Sequence, residues 1–351
     1  MKKHSFRTRI KNFIIFDIRI LTLSSFLLSQ LFISEILLYK DNNSDISLYN
    51  INTAQADTSD TWYNTAYSYR KEITIDHTKV PNTDQSNFPI LVSLTDTSLK
   101  TTANGGKIQN TNGYDIIFAN QDGDTKLDHE IESYAPTTGA IVMWVKIPLL
   151  SASEDTIIYI YYGNPNITTS QEDKEGLWDD GGDNNFKMVQ HMNQDPSGTA
   201  PQMIDSTQYN NDGTSGGTMT SGDVVSGKIN GATDFDGGDD YINAGDGSNL
   251  KINNNISISF WVKTTTATYG MILDKKNVEG YFFSMNSSGI ITYFIYDGSL
   301  PYIEAPSASA MNDGAWHYVS ATRNTINNAV KLYIDGVEDN SVDASTLNVN
   351  R

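Results

Sequence analysis

Thr233-Asp-Phe-Asp-Gly-Gly-Asp-Asp-Tyr-Ile-Asn243 is the stretch on which the reading of the fold turns. Phe235 is apolar, Asp236 to Asp240 carry turn chemistry around two glycines, and Tyr241-Ile242 resume a β-type run. Two short apolar runs meeting at such a turn predict a hairpin. Downstream, Ile256-Ser-Ile-Ser-Phe-Trp-Val262 alternates apolar and polar residues before turning fully apolar. Gly314-Ala-Trp-His-Tyr-Val319 and Val330-Lys-Leu-Tyr-Ile-Asp-Gly336 follow. These are strand signals, and helical spacing is not among them.

In that order the four segments resemble the concanavalin A-like jelly-roll superfamily, in its LamG-like branch. Such domains carry a Phe-Asp-Gly turn, a Trp-containing strand, a Trp-His strand and a strand ending in Asp-Gly. Met203-Ile-Asp-Ser-Thr-Gln-Tyr-Asn-Asn-Asp-Gly213 resembles the segment placed before the Phe-Asp-Gly turn, so the likeness runs over residues 186–351. The resemblance implies further strands after Gly336, and the jelly roll is therefore expected to be incomplete at the C-terminus.

The whole chain reads as all-β. It has 351 residues, enough for two cores, with 26 glycines, 19 tyrosines and many short Thr/Ile/Val/Tyr-rich runs. Net charge is −18, and residues 1–56 are net basic, so the remainder is more acidic still. A field of that sign repels nucleic acid and anionic membrane surfaces. The absence of cysteine removes disulfides, thiolate metal sites and cysteine nucleophiles together.

Lys2, Lys3, Arg7, Arg9 and Lys11 form a positive leader, residues 20–34 are uncharged and mostly apolar, and Ala54-Gln-Ala56 has the small-x-small form of a cleavage site. Residues 1–56 therefore read as an export signal or an N-terminal membrane anchor, and the protein as secreted or held at the cell surface. The membrane is a partner only through this segment.

Residues 57–165 read as a β-sandwich-like domain. Tyr69-Arg-Lys-Glu-Ile-Thr-Ile75 alternates, residues 88–94, 114–118, 140–147 and 156–162 are largely apolar, and turn signals separate them at sandwich spacing. Tyr114-Asp-Ile-Ile-Phe118, the Asp122-Gly123 turn, Glu130-Ile-Glu132, Trp144-Val-Lys-Ile-Pro148 and Tyr161-Tyr-Gly-Asn164 resemble the bacterial family catalogued as domain of unknown function 2341. Members commonly precede a LamG-like domain on exported proteins, which is the order here. The resemblance implies an architecture and no activity.

Asp128, Glu130 and Glu132 alternate, so a strand would set them on one face, about 7 Å apart. That spacing suits an inverting glycosidase pair, but a solvated strand face explains it without chemistry. Residues 166–185, rich in Asp, Gly and Asn, read as a linker before the second domain, 186–351.

Within the second domain Trp261 and Trp316 sit in apolar strand runs and read as buried. His191 and His317 lack a second ligand at zinc spacing. Tyr269, Tyr296 and Tyr302 lie at strand ends and are the candidate ligand contacts. Many domains of the resembled kind hold Ca2+ by loop oxygens, for which Asp239, Asp240 and Asp274 are the candidates here; simple turn chemistry accounts for the Asp-Gly pairs without a cofactor.

No catalytic residue stands out. The expected role is non-catalytic binding of extracellular polysaccharide or another cell-surface glycan or protein. Two alternatives stay open: targeting modules of a larger polysaccharide-degrading enzyme, and structural spacers of an adhesin.

Overall fold

In the computed structural model the described residues are 62–80, 83–179, 186–276, 280–296, 298 and 301–345, with the backbone of 6–21, 37–39 and 51–54. The chain divides into two compact units, Glu35–Trp178 and a second made of Met1–Ser34 with Asp179–Arg351. Among the described residues nearly all regular structure is strand, and the one α-helix is the single turn Lys174–Leu177. No described helix is long and apolar enough to cross a membrane.

The unit Glu35–Trp178 is built of two sheets. One runs in the order Ile51–Ala54, Tyr69–Ile75, Thr156–Tyr162, Ile117–Asn120, Lys126–Leu127, all antiparallel. The other runs Leu37–Tyr39, Gln85–Thr95, Ala140–Leu150, His129–Ala135. Its long central pair is in register from Gln85↔Leu150 to Thr95↔Ala140. Alternate residues from both sheets are fully buried, among them Ile73, Ile75, Ile158, Ile160, Ile90, Val92, Met143 and Val145. Each such side chain contributes roughly 1.5–3 kcal/mol by leaving water.

The segment read as a linker is in part a strap belonging to this unit. Along the last strand of the second sheet, the Ile131 amide donates to Glu172 at 2.8 Å and the Asp173 amide donates to the His129 carbonyl at 3.1 Å. Lys126 and Lys146 reach the carbonyls of Gln171 and Gly176, both at 2.7 Å. Asp173 caps the helical turn by accepting from the Gly176 amide, and Trp178 is 1 % exposed. Asp and Gly composition suggested a solvated tether, but these contacts are long-range and leave no local mark.

The second unit pairs a nine-stranded with a four-stranded sheet. The larger runs Thr214–Gly216, Gly231–Gly245, Phe6–Leu21, Ile256–Thr264, Trp316–Asn324, Ala329–Ile334, Val337–Asp343. Phe186–Gln190 and Val224–Ser226 pair off this path. The smaller runs Gly270–Asp274, Gly280–Met285, Ile291–Tyr296, Ile303–Pro306. Ile256, Ile258, Phe260 and Val262 from one sheet meet Tyr281, Phe283, Tyr293 and Ile295 from the other in a single core. Phe260 stands edge-on to Phe283 at 5.1 Å. This is the two-sheet jelly-roll arrangement expected from the sequence.

Two sequence expectations need restating. Asp236 to Asp240 do not turn a hairpin; they form a bulge within the single strand Gly231–Gly245. Asp236 and Tyr241 stand opposite Lys11 and Arg9, so the intervening residues loop out of register. Gly237 takes φ 76°, the Gly238 amide donates to Asp236 at 2.6 Å, and the Asp236 amide donates to Asp240 at 3.0 Å. Glycine and aspartate supply the same local conformations to a bulge as to a hairpin turn. Phe6–Leu21, within the segment read as an export signal, is placed as a strand between Gly231–Gly245 and Ile256–Thr264. Most of residues 1–56, including Gln55 and Ala56, lie outside the described residues.

The Asp205 segment that carried part of the family resemblance is an internal brace. Its carboxylate, 3 % exposed, accepts from the amides of Val189 and Asn211, both at 2.9 Å, and Thr207 at 3.0 Å. Burial nevertheless raises its pKa above the ordinary carboxylate range, against these hydrogen bonds.

Candidate ligand-binding face

The four-stranded sheet of the second unit has one face in the core and one facing out. Strand alternation sends Tyr281, Phe283, Tyr293 and Ile295 inward, and therefore Phe282, Phe294 and Tyr296 outward. Cross-strand register aligns the outward residues. Asp274, Phe282, Phe294 and Glu304 form one row across all four strands. Met271, Ser284, Thr292 and Pro306 form a second. At the other end Gly280 pairs with Tyr296, and Lys276 and Tyr302 flank that pair in the chain.

Phe282 and Phe294 are stacked, with centroids 4.3 Å apart and planes 4° from parallel. Tyr302 crosses both nearly perpendicularly, at 5.4 Å and 85° from Phe282 and 6.0 Å and 84° from Phe294. Tyr296 adds a ring 5.1 Å from Tyr302. The Lys276 ammonium donates to the Tyr302 hydroxyl at 3.2 Å and lies 5.0 Å from the centroid of Phe282 and 5.2 Å from that of Tyr302. Phe282 is buried beneath this group, Phe294, Tyr296, Tyr302 and Lys276 are half-buried, and Glu304 is exposed. An aromatic floor with carboxylates, hydroxyls and one ammonium around it offers both what C–H faces need and what hydroxyl groups need.

Two of the three candidate tyrosines, Tyr296 and Tyr302, are thus in ring contact. Tyr269 stands beyond the second row, 58 % exposed, its hydroxyl 3.1 Å from the Met271 sulfur. Phe282, Phe294, Lys276 and Glu304 were not singled out from the sequence. A signal existed: in Tyr281-Phe282-Phe283 and Tyr293-Phe294-Ile295 consecutive large apolar residues cannot all face the core of a strand.

The calcium candidates separate. Asp239 and Asp240 join Asp236 in the bulge of the larger sheet, with ligand oxygens within 4.8 Å of one another, whereas Asp274 belongs to the smaller sheet. The bulge carboxylates already brace backbone: Asp240 accepts from the amides of Asp236 and Thr218 at 3.0 and 3.2 Å, and Asp236 from Gly238. Burial raises the Asp240 pKa, and the neighbouring Asp236 charge adds to the rise. Three carboxylates are a partial set against the roughly six to eight oxygens that Ca2+ takes.

The alternating carboxylates of the first unit are parted by structure. Asp128 falls between the strands Lys126–Leu127 and His129–Ala135, and the register shifts between Ile131 and Ser133, leaving Glu132 in a bulge. Glu130, 2 % exposed, accepts from Trp178 Nε1 at 2.8 Å and pairs with Lys174 at 3.2 Å. Glu132 accepts from Trp144 Nε1 at 2.8 Å, and Lys146 lies 3.9 Å from Asp128. Burial, followed by the charge of Asp173, raises the Asp128 pKa. Glu130 and Glu132 hold two tryptophans whose rings are 5.6 Å apart.

Trp261 is 8 % exposed and tilted against Tyr318 at 5.2 Å, on the sheet face opposite the core; Trp316 is half-buried. His191 is buried. His317 sits between Asp335 at 2.9 Å and Asp313 at 3.2 Å. Burial opposes its charge, but the hydrogen bonds to Asp335 and Asp313 outweigh that and raise its pKa.

Comparison with known families agrees with this architecture. Residues 236–350 match the model of the concanavalin A-like lectin/glucanases superfamily. Residues 112–188 match a domain of unknown function (DUF2341), a span that takes in the strap ending at Trp178. No curated protein matches the chain.

Proposed function

We propose that this chain, a domain of unknown function followed by a concanavalin A-like domain, is a carbohydrate-binding protein that works outside the cell. The observation carrying the reading is the outward aromatic group Phe294, Tyr296 and Tyr302, seated on the buried Phe282, with Lys276 at its rim. Rings of this kind pack against the C–H faces of sugars, and the rim supplies donors and acceptors for hydroxyls. The matched superfamily contains lectins and glucanases by its own description, which suits a saccharide ligand. On the described part of this face the carboxylates Asp274 and Glu304 stand at opposite ends of one row with the aromatic rings between them, an arrangement that suits a binding role.

Export and cell-surface adhesion are part of the same proposal and rest on the basic leader, the apolar run and Ala54-Gln-Ala56. N-terminal sequencing of the protein recovered from the medium of expressing cells tests them. A start at Asp57 supports export with cleavage. An intact Met1 in cytoplasmic protein overturns it and leaves Phe6–Leu21 as a permanent strand.

The binding reading is tested by screening the full chain against a panel of immobilised glycans, with Tyr302→Ala as control. Saturable binding lost in the variant supports it. A folded protein that binds no glycan would refute it and favour a spacer.

A further inference from the structure

Resting on the reading of this face as saccharide-binding, we infer that its ligand is an uncharged oligosaccharide of about three units lying across the strands, not an acidic one. The charge distribution points this way. The row Asp274, Phe282, Phe294, Glu304 begins and ends in a carboxylate, so any ligand crossing the stacked rings meets a negative group at each margin.

Lys276 is the one described cation of this outward face, and its ammonium is held by the Tyr302 hydroxyl and two ring faces. One lysine between two carboxylates leaves the face net negative, on a chain of net charge −18. Salt screens distant charges beyond about 8 Å under physiological conditions, but groups in van der Waals reach of a ligand are screened far less. A uronate or sulfate on this row would approach like charge without a free counter-cation. A hydroxyl there gains a charge-assisted hydrogen bond.

Length follows from the same row. Asp274 and Glu304 are separated by three inter-strand steps of about 4.8 Å, roughly 14 Å in all. That exceeds one pyranose ring. A single sugar over Phe294 lies one step from Glu304 and two from Asp274 and so reaches only one of them, whereas a short chain sets one unit on the aromatic floor and its outer hydroxyls at the two margins.

The experiment uses the full chain and calorimetric titration with graded neutral oligosaccharides (gluco-, xylo- and manno-series of one to six units) and oligogalacturonates of the same lengths, at low and at raised salt. The expected result is binding to at least one neutral series, rising at least tenfold from one unit to three and flat thereafter, with little salt dependence. Oligogalacturonates bind at least tenfold more weakly, and Glu304→Lys narrows that gap. Tighter, salt-sensitive binding of oligogalacturonates, or full affinity for a monosaccharide, overturns the inference while leaving the saccharide reading in place. Binding of none of the series overturns both.

Discussion

Trp178 Nε1 donates a 2.8 Å hydrogen bond to the carboxylate of Glu130, and both residues are almost fully buried. The bond ties the end of the strap to a strand 48 positions earlier. It turns a stretch with the composition of a tether into part of a core. Trp178→Ala is expected to destabilise the unit Glu35–Trp178 by about 3–5 kcal/mol, because it opens a large cavity and removes one donor to a buried carboxylate. Trp178→Phe, keeping most of the volume, should cost about 1–3 kcal/mol. Urea unfolding followed by fluorescence measures both, and an unchanged midpoint in Trp178→Ala would show the strap to be dispensable.

Tyr302→Ala is expected to weaken glycan binding about tenfold or more, through the loss of one ring contact and of the anchor for Lys276. Tyr302→Phe should fall between, since it keeps the ring and loses the hydroxyl. The residue is half-buried and precedes a strand, so the melting temperature should move little. Titration beside a thermal melt separates the two effects.

Chelation of divalent ions should leave glycan binding unchanged. The acidic group Asp236, Asp239 and Asp240 lies in the larger sheet, and the aromatic floor is built from the smaller one. Titrations in calcium and in a chelator compare directly; a requirement for calcium would place an ion either at the bulge or at Asp274 on the binding row, and Asp240→Asn and Asp274→Asn distinguish the two.

His129 gives the first unit a specific acid sensitivity. It is wholly buried beside Phe118, its Nδ1 faces the Leu127 carbonyl at 3.3 Å, and its Nε2 has no hydrogen-bond partner. Burial lowers its pKa from 6.5 to about 4, with Lys126 adding to the fall and Glu172 and Asp173 opposing it. A lowered folded pKa contributes stability above the unfolded value that is lost as pH falls from 6.5 toward 4, roughly 3 kcal/mol in all. His129→Phe should therefore flatten the stability profile between those pH values relative to the parent. Parallel profiles would show that other groups govern the acid limb.

His317 acts in the opposite sense. Its folded pKa is raised, so its pairing with Asp335 and Asp313 stabilises below the unfolded value and is lost as pH rises through the folded one. Both carboxylates are well exposed, so the effect is small. Nuclear magnetic resonance titration of the His317 ring should give a value above 6.5, and Asp335→Asn should lower it.

Much of the fold was legible where local pattern and final pairing coincide. Tyr69–Ile75 and Thr156–Tyr162 were bounded to the residue, because their alternation and flanking turns are local signals. The two-sheet second unit followed from motif order. The bulge at Asp236 was misread as a hairpin because the partners of that strand lie elsewhere: Thr214–Gly216 and Val224–Ser226 fix its course, and a glycine pair cannot announce them. The binding face was half legible. Tyr296 and Tyr302 stand at strand ends, as polar aromatics at a rim often do. Phe282 was not singled out, and only the strand register shows it stacked on Phe294 on the outer side of the sheet.

The strap has a consequence for life at high local concentration. His129–Ala135 ends its sheet, and a strand in that position exposes backbone groups that can template a strand from another molecule. Here the Ile131 amide and His129 carbonyl are already engaged by residues 172–173 of the same chain. At these two residues a strand from a neighbouring copy therefore finds no free backbone group with which to pair.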